Sequence, residues 1–150
     1  MVAVGRLRAP HDAPGREYEK RIGDLVGFRA DEVAQEPDAA GGARRAVAVE
    51  ADRIRAKLVD GAWRVALDPR GRPPASSDAL AAWLGERLEA ARPVAFLIGG
   101  PHGLDPGLVG ECEERLSLGP LILPHLLARV VLAEQLYRAL CVRAGHPYPR

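Results

Sequence analysis

Two short stretches hold the residues with which this sequence could bind a small molecule. The first is Gly99-Gly100-Pro101-His102-Gly103, directly after the apolar run Val94–Ile98. The second is Leu118-Gly119-Pro120-Leu121-Ile122-Leu123, followed by Pro124-His125. The glycine run reads either as an ordinary strand-to-helix turn or as a place where backbone approaches a ligand closely. The second stretch has no hydrogen-bonding side chain. Recognition there would fall to backbone N–H and C=O groups and an apolar wall, with one donor missing at Pro120. His125 reads either as a helix-start residue bonding backbone or as a group that orients a substrate. The ending His146-Pro147-Tyr148-Pro149-Arg150 is aromatic and basic. A tyrosine can stack on a base and an arginine can pair with phosphate. The alternative is a disordered chain end.

Other chemistries lack their residues. No G-x-G-x-x-G follows the first strand, no G-x-x-x-x-G-K-[ST] occurs, and there is no G-x-S-x-G elbow. The four histidines are not paired at a metal-ligand helix spacing, and Cys112 lies far from Cys141, so no metal site is expected. Both cysteines sit among apolar positions and read as buried or half-buried thiols. The 150 residues suit a single domain over 1–150, and 47% hydrophobic with 27% charged residues is a soluble globular balance. No apolar run reaches the roughly 20 residues of a membrane span, and no signal peptide is visible, so a cytoplasmic location is expected. Net charge is +1, which neither demands nor excludes nucleic acid.

The elements that must position these groups alternate along the chain. Strands are expected at Val2–Gly5, Phe28–Val33, Trp63–Leu67, Val94–Ile98 and Leu121–Leu123. Helices are expected from Gly15 to about Gly27, Ala43–Val59, Ser76 to about Ala91, Pro106–Leu116 and Leu126–Arg143. Asp105 and Pro106 form a cap and first position for the fourth helix. The alternation implies an α/β domain: a parallel-type sheet with helices on both faces. In such sheets ligands bind beyond the carboxyl ends of the strands. The last helix is apolar nearly all round, with Arg129 and Arg138 as exceptions, and is therefore expected to be buried on more than one side. That reads as a homodimer interface, or else as a central helix in a monomer.

The segments IGGPHGL, SLGPLILPH, RVVLAEQLYRAL and HPYPR resemble the RlmH family, with weaker anchors in VAVG and ALDPRG. The likeness is dense from Val94 to Arg150. It implies a SPOUT-class methyltransferase that methylates N3 of a pseudouridine in 23S ribosomal RNA, on the assembled ribosome. It also implies S-adenosylmethionine as methyl donor, a homodimer, and a C-terminal trefoil knot within about Leu67 to Arg143. The donor would lie against Leu67, Gly99 and Leu118, Gly119, Pro120, Leu121, Ile122 and Leu123. His125, Arg138, Tyr148 and Arg150 fall on the substrate side; Pro149 stands where family members commonly carry His. The competing readings are a non-catalytic ribosome-binding or assembly protein of the same fold, and a SPOUT enzyme with another RNA target.

Overall fold

The computed structural model describes residues 1–37 and 42–148. Five strands, β1 (Val2–Val4), β2 (Asp31–Val33), β3 (Trp63–Arg72), β4 (Val94–Ile98) and β5 (Glu114–Leu116), form one sheet in the order β2-β1-β4-β3-β5. Every pairing is parallel. The helices are α1 (Asp12–Leu25), α2 (Gly42–Arg55), α3 (Ser77–Glu89), α4 (Pro106–Gly110) and α5 (His125–Arg143).

Side chains alternate across the strands, and this divides the core in two. Ala3, Phe96 and Ile98 face one side, where Ile22 of α1, Leu80 and Leu84 of α3, and Leu132 and Leu136 of α5 cover them. Val2, Val4, Ala95 and Leu97 face the other side, under Ala51 and Ile54 of α2 and Leu108 of α4. The helices therefore lie on both faces, as the α/β reading expects. Helix α5 packs against both α1 and α3. Much of its apolar circumference is thus used within the chain.

Three expectations near the site are corrected. The fourth helix stops at Gly110 instead of reaching Leu116, and Glu114–Leu116 becomes the edge strand β5. The cause is a set of acidic side chains captured from other elements. Glu111 pairs with Arg55 and Arg64, and Glu113 accepts the Arg64 N–H at 2.8 Å. Glu114 accepts Trp63 Nε1, Trp83 Nε1 and Arg87 Nη2 at 3.1, 2.8 and 2.8 Å. Leu121–Leu123, expected as a strand, is a loop. It is confined between Pro120 and Pro124, and the edge it would have joined is occupied by β5. Strand β3 also runs past the expected end. Leu67 and Arg72 both register with Leu116, so residues 68–71 form an arc over β5. Gly71 permits that crossing: a Cβ there would stand 2.7 Å from the Arg115 carbonyl carbon.

One buried ion cluster ties α5 to the remainder. Arg129 is 2% exposed, and its Nη2 donates to Glu19 Oε1 at 2.6 Å while Nη1 donates to Glu32 Oε1 at 2.9 Å. The same Glu32 oxygen accepts the Leu7 N–H at 3.2 Å. Burial pushes the Glu32 carboxyl upward, but the Leu7 N–H and Arg129 outweigh it and hold the pKa below the ordinary 4.5. A depressed folded-state pKa gives stability that is present above the unfolded value and is lost as pH falls through the folded one. Urea melts of Arg129→Met should therefore show a loss of about 3–5 kcal/mol, because two carboxylates are left without their buried partner. Glu32→Gln should flatten the acid limb of stability below pH 4.5 relative to the parent; an unchanged acid limb would remove Glu32 from this linkage.

Candidate functional site

A cleft of about 690 Å³ opens at the carboxyl ends of three neighbouring strands. Its walls are β3 where its arc begins (Leu67–Pro69), the end of β4 with the glycine turn after it (Ile98–Gly103) and the loop after β5 (Ser117–Pro124), with His125 at one side. Leu67, Gly99, Leu118, Gly119, Leu121, Ile122 and Leu123 all line it. Pro120 does not; it faces solvent.

The walls of this cleft are largely backbone and apolar side chains, and two residues set their shape. Gly99 lacks a side chain because of its own turn: a Cβ there would sit 2.3 Å from the Gly103 carbonyl carbon. The glycine is needed to fold the loop that walls the cleft, and the space beside it is filled by backbone. Ser117 fixes the opposite wall. Its hydroxyl donates to the Gly119 carbonyl at 2.8 Å and accepts the Gly119 N–H at 3.1 Å. Among the described residues, the N–H groups of Leu121, Ile122 and Leu123 have no backbone partner. Leu121 and Ile122 are 75% and 84% exposed, large apolar side chains standing in solvent at the rim. A cleft of this size, with an apolar wall and unused backbone donors, fits an adenosyl group. Asp68, 5% exposed, is engaged by Arg70 through Nε, Nη2 and the backbone N–H, and its pKa is held down chiefly by that side-chain bond.

His125 begins α5 and makes no helix-capping bond of the kind considered from sequence; the preceding Pro124 has no capping side chain. Its Nε2 packs instead toward Gly5 at the end of β1, 3.4 Å from where a Cβ would lie. It is half-buried between the 690 Å³ cleft and a second one of about 550 Å³. Burial lowers its pKa, and the charge of Arg8 lowers it further, so the imidazole is neutral near pH 7.

Arg138 and Tyr148 are held elsewhere. Arg138 lies thirteen residues along α5 from His125, about 20 Å at 1.5 Å per residue. Tyr148 folds back onto α1 and α5 and is not a loose end. Its ring meets Tyr137 edge-on at 4.9 Å, and the Arg138 guanidinium lies 4.8 Å from its centroid. Its hydroxyl reaches Tyr18 and Glu134, both at 3.3 Å. Burial, the Tyr18 hydroxyl and the Glu134 charge all raise its pKa, so it remains a phenol. The alternative of a disordered chain end is thereby corrected for this residue. Arg150, like Pro149, lies outside the described residues.

Sequence reasoning missed Glu134. Its Oε1 accepts Arg138 Nη2 at 2.5 Å and the Tyr148 hydroxyl, joining the two candidates. The i,i+4 spacing of Glu134 and Arg138 was a usable signal. Within one chain, then, the candidates form two groups: the cleft with His125, and a Glu134–Arg138–Tyr148 cluster farther down α5.

A family model described as "Predicted SPOUT methyltransferase" matches residues 1–149. Two relatives, from Acidiphilium cryptum and Bordetella petrii, are each called "Ribosomal RNA large subunit methyltransferase H". They are 45% and 42% identical, covering all of this chain and 98% and 97% of their own lengths. The chain belongs to the RlmH family of SPOUT methyltransferases. A crystal structure of a probable methyltransferase from Bordetella pertussis Tohama I has the same fold, with a TM-score of 0.55 at 20% identity over 93% of this chain and 92% of that one. RlmH-family SPOUT enzymes take S-adenosylmethionine as methyl donor. Among the described residues no cluster of His, Cys, Asp or Glu could hold a metal, and no helix is long and apolar enough to cross a membrane.

The placement of His125 makes a direct prediction. Its NMR titration midpoint should lie below 6.5, and Arg8→Gln should move it upward by removing a facing positive charge. A midpoint that ignores Arg8 would contradict the geometry of this wall.

Proposed function

We propose that this protein transfers a methyl group from S-adenosylmethionine to N3 of a pseudouridine in 23S ribosomal RNA, acting in the cytoplasm on the assembled ribosome. The observation that carries the reading is the backbone-lined cleft at the ends of β3, β4 and β5, in a chain 42–45% identical over its full length to proteins named as large-subunit ribosomal RNA methyltransferases. S-adenosylmethionine supplies an electrophilic methyl group, and the protein's task is to align the acceptor nitrogen with it. Residues 1–150 act as a single domain, with both core clusters built on one sheet.

Leu118, Leu121 and Ile122 cover the adenosyl group, and the loop held by Gly99 limits its depth. His125 orients the acceptor from the neighbouring wall. Target N3–H must lose its proton. Arg138, fixed by Glu134 and stacked on Tyr148, lowers the cost of the resulting negative charge. Arg150 contributes on the substrate side.

A single chain keeps Arg138 about 20 Å along the helix from His125, too far for one base to meet both. We therefore infer a homodimer in which the Glu134–Arg138–Tyr148 cluster of one copy completes the cleft of the other. The exposed Leu121 and Ile122 and the half-buried Leu127 and Val131 provide apolar surface for that contact. The arc of residues 68–71 over β5 fits the loop through which a trefoil knot would thread the last segment.

The test is tritiated methyl incorporation into ribosomes from a strain lacking the enzyme, with the modified base mapped by mass spectrometry. Label at N3 of a pseudouridine in 23S RNA is expected. Donor binding without any transfer would instead point to a non-catalytic ribosome-binding protein, and label at another base to a different RNA target. Arg138→Ala should leave affinity for S-adenosylhomocysteine within about twofold while methyl transfer falls roughly ten- to a hundredfold, the loss of about 1.5–3 kcal/mol for a charge-assisted contact.

A further inference from the structure

The 550 Å³ cleft on the far side of His125 is not used by the donor. Its walls are Gly5, Arg6 and Arg8 after β1, Val33–Gln35 after β2, and His125 with Leu126. Both arginines are exposed, and among the described residues neither guanidinium takes part in a hydrogen bond or an ion pair, while the Arg8 carbonyl accepts the His11 N–H at 2.8 Å. The segment that carries them is nonetheless held in place. Leu7, between them, is 6% exposed, lies against Gly15 and donates its N–H to Glu32. Two unpaired guanidinium groups thus flank an anchored residue. The one carboxylate lining this cleft, Glu32, is occupied by Arg129, with Arg16 at 3.9 Å. The cleft is left with an excess of positive charge.

We propose that this second cleft holds the phosphodiester backbone of the RNA strand beside the target nucleotide, with Arg6 and Arg8 each contacting a phosphate. This rests on the RNA-methyltransferase reading above. Arginine forks match phosphate oxygens bidentately, and an ordered loop loses less entropy on binding than a mobile one. His125 is the partition between the two clefts, so a strand fixed on the Arg6–Arg8 side places its next base toward the donor. Contacts to phosphate position a strand without reading its sequence. The remaining specificity must come from the target base and from the ribosome.

The experiment measures binding of large ribosomal subunits, from a strain lacking the enzyme, across a salt series. The wild-type protein is compared with Arg6→Ala/Arg8→Ala and with Arg6→Lys/Arg8→Lys. Two lost phosphate contacts should reduce the slope of log affinity against log salt by about 1.4, at roughly 0.7 per contact on single strands. Methylation should show KM raised about tenfold with kcat retained, and S-adenosylhomocysteine affinity should stay within twofold. The lysine pair should keep the wild-type salt slope. Both arginines are exposed, so the melting temperature should be unchanged; if the double variant melts early, Arg6→Gln and Arg8→Gln singly should each lower the slope by about 0.7. Wild-type affinity and slope in the alanine pair would overturn the proposal. Ribosomes bound with the expected slope but never methylated would overturn the enzymatic reading and leave this one standing.

Discussion

Arg129 sits on an otherwise apolar face of α5 and is 2% exposed, where an unpaired guanidinium would be untenable. It is kept there by Glu19 from α1 and Glu32 from β2. Such buried pairs are poor evidence of net stability, because desolvation offsets much of the attraction. What they impose is geometry. Only one placement of α5 satisfies both carboxylates. That placement sets His125, one helical turn earlier, against Gly5. The same Glu32 oxygen holds Leu7, and Leu7 holds the Arg6–Arg8 segment. The partition between the two clefts and the basic rim of the second are therefore consequences of one ion cluster.

The length of α5 imposes the second constraint. Nineteen residues span about 28 Å. The helix descends from the carboxyl ends of the strands, so its start lines the strand-end cleft and its later turns do not. Glu134, Arg138 and Tyr148 are well ordered among themselves, through an ion pair, a ring–guanidinium contact and an edge-on tyrosine pair. That order, so far from the cleft of its own chain, is what a second copy would use. The apolar character of α5 is weaker support than it first reads, since α1 and α3 already take much of it. The unpartnered Leu121 and Ile122 are the better support.

The strand Val94–Ile98, its glycine turn, the capped start at Asp105-Pro106 and the long last helix were legible because their signals are local. Asp105 does accept the Leu108 N–H, at 3.1 Å. The cleft was legible because ligand sites in parallel sheets follow strand ends. Strand β5 was not, since its only mark is a run of acidic residues whose partners Trp63, Trp83, Arg87 and Arg64 lie 27 to 51 positions away. The docking of Tyr148 depends on Tyr18, 130 residues away, and no window of sequence reports such a contact. Gly99 does line the cleft, but the reason for its missing side chain is the turn that makes the wall, which depends on the Gly103 carbonyl four residues on.

If one copy's cleft works with the other copy's Glu134–Arg138–Tyr148 cluster, two differently damaged copies must complement each other in a mixed dimer. One variant, His125→Ala, is damaged only at the cleft; a second, Arg138→Ala/Tyr148→Ala, only at the cluster. After the two are unfolded and refolded together, half of a random set of dimers is mixed, and each mixed dimer holds one intact composite site. Methyl transfer should recover to about a quarter of wild type, although neither variant alone is active. No recovery, with mixed dimers verified by mass, would mean that each chain works alone and that no composite site exists.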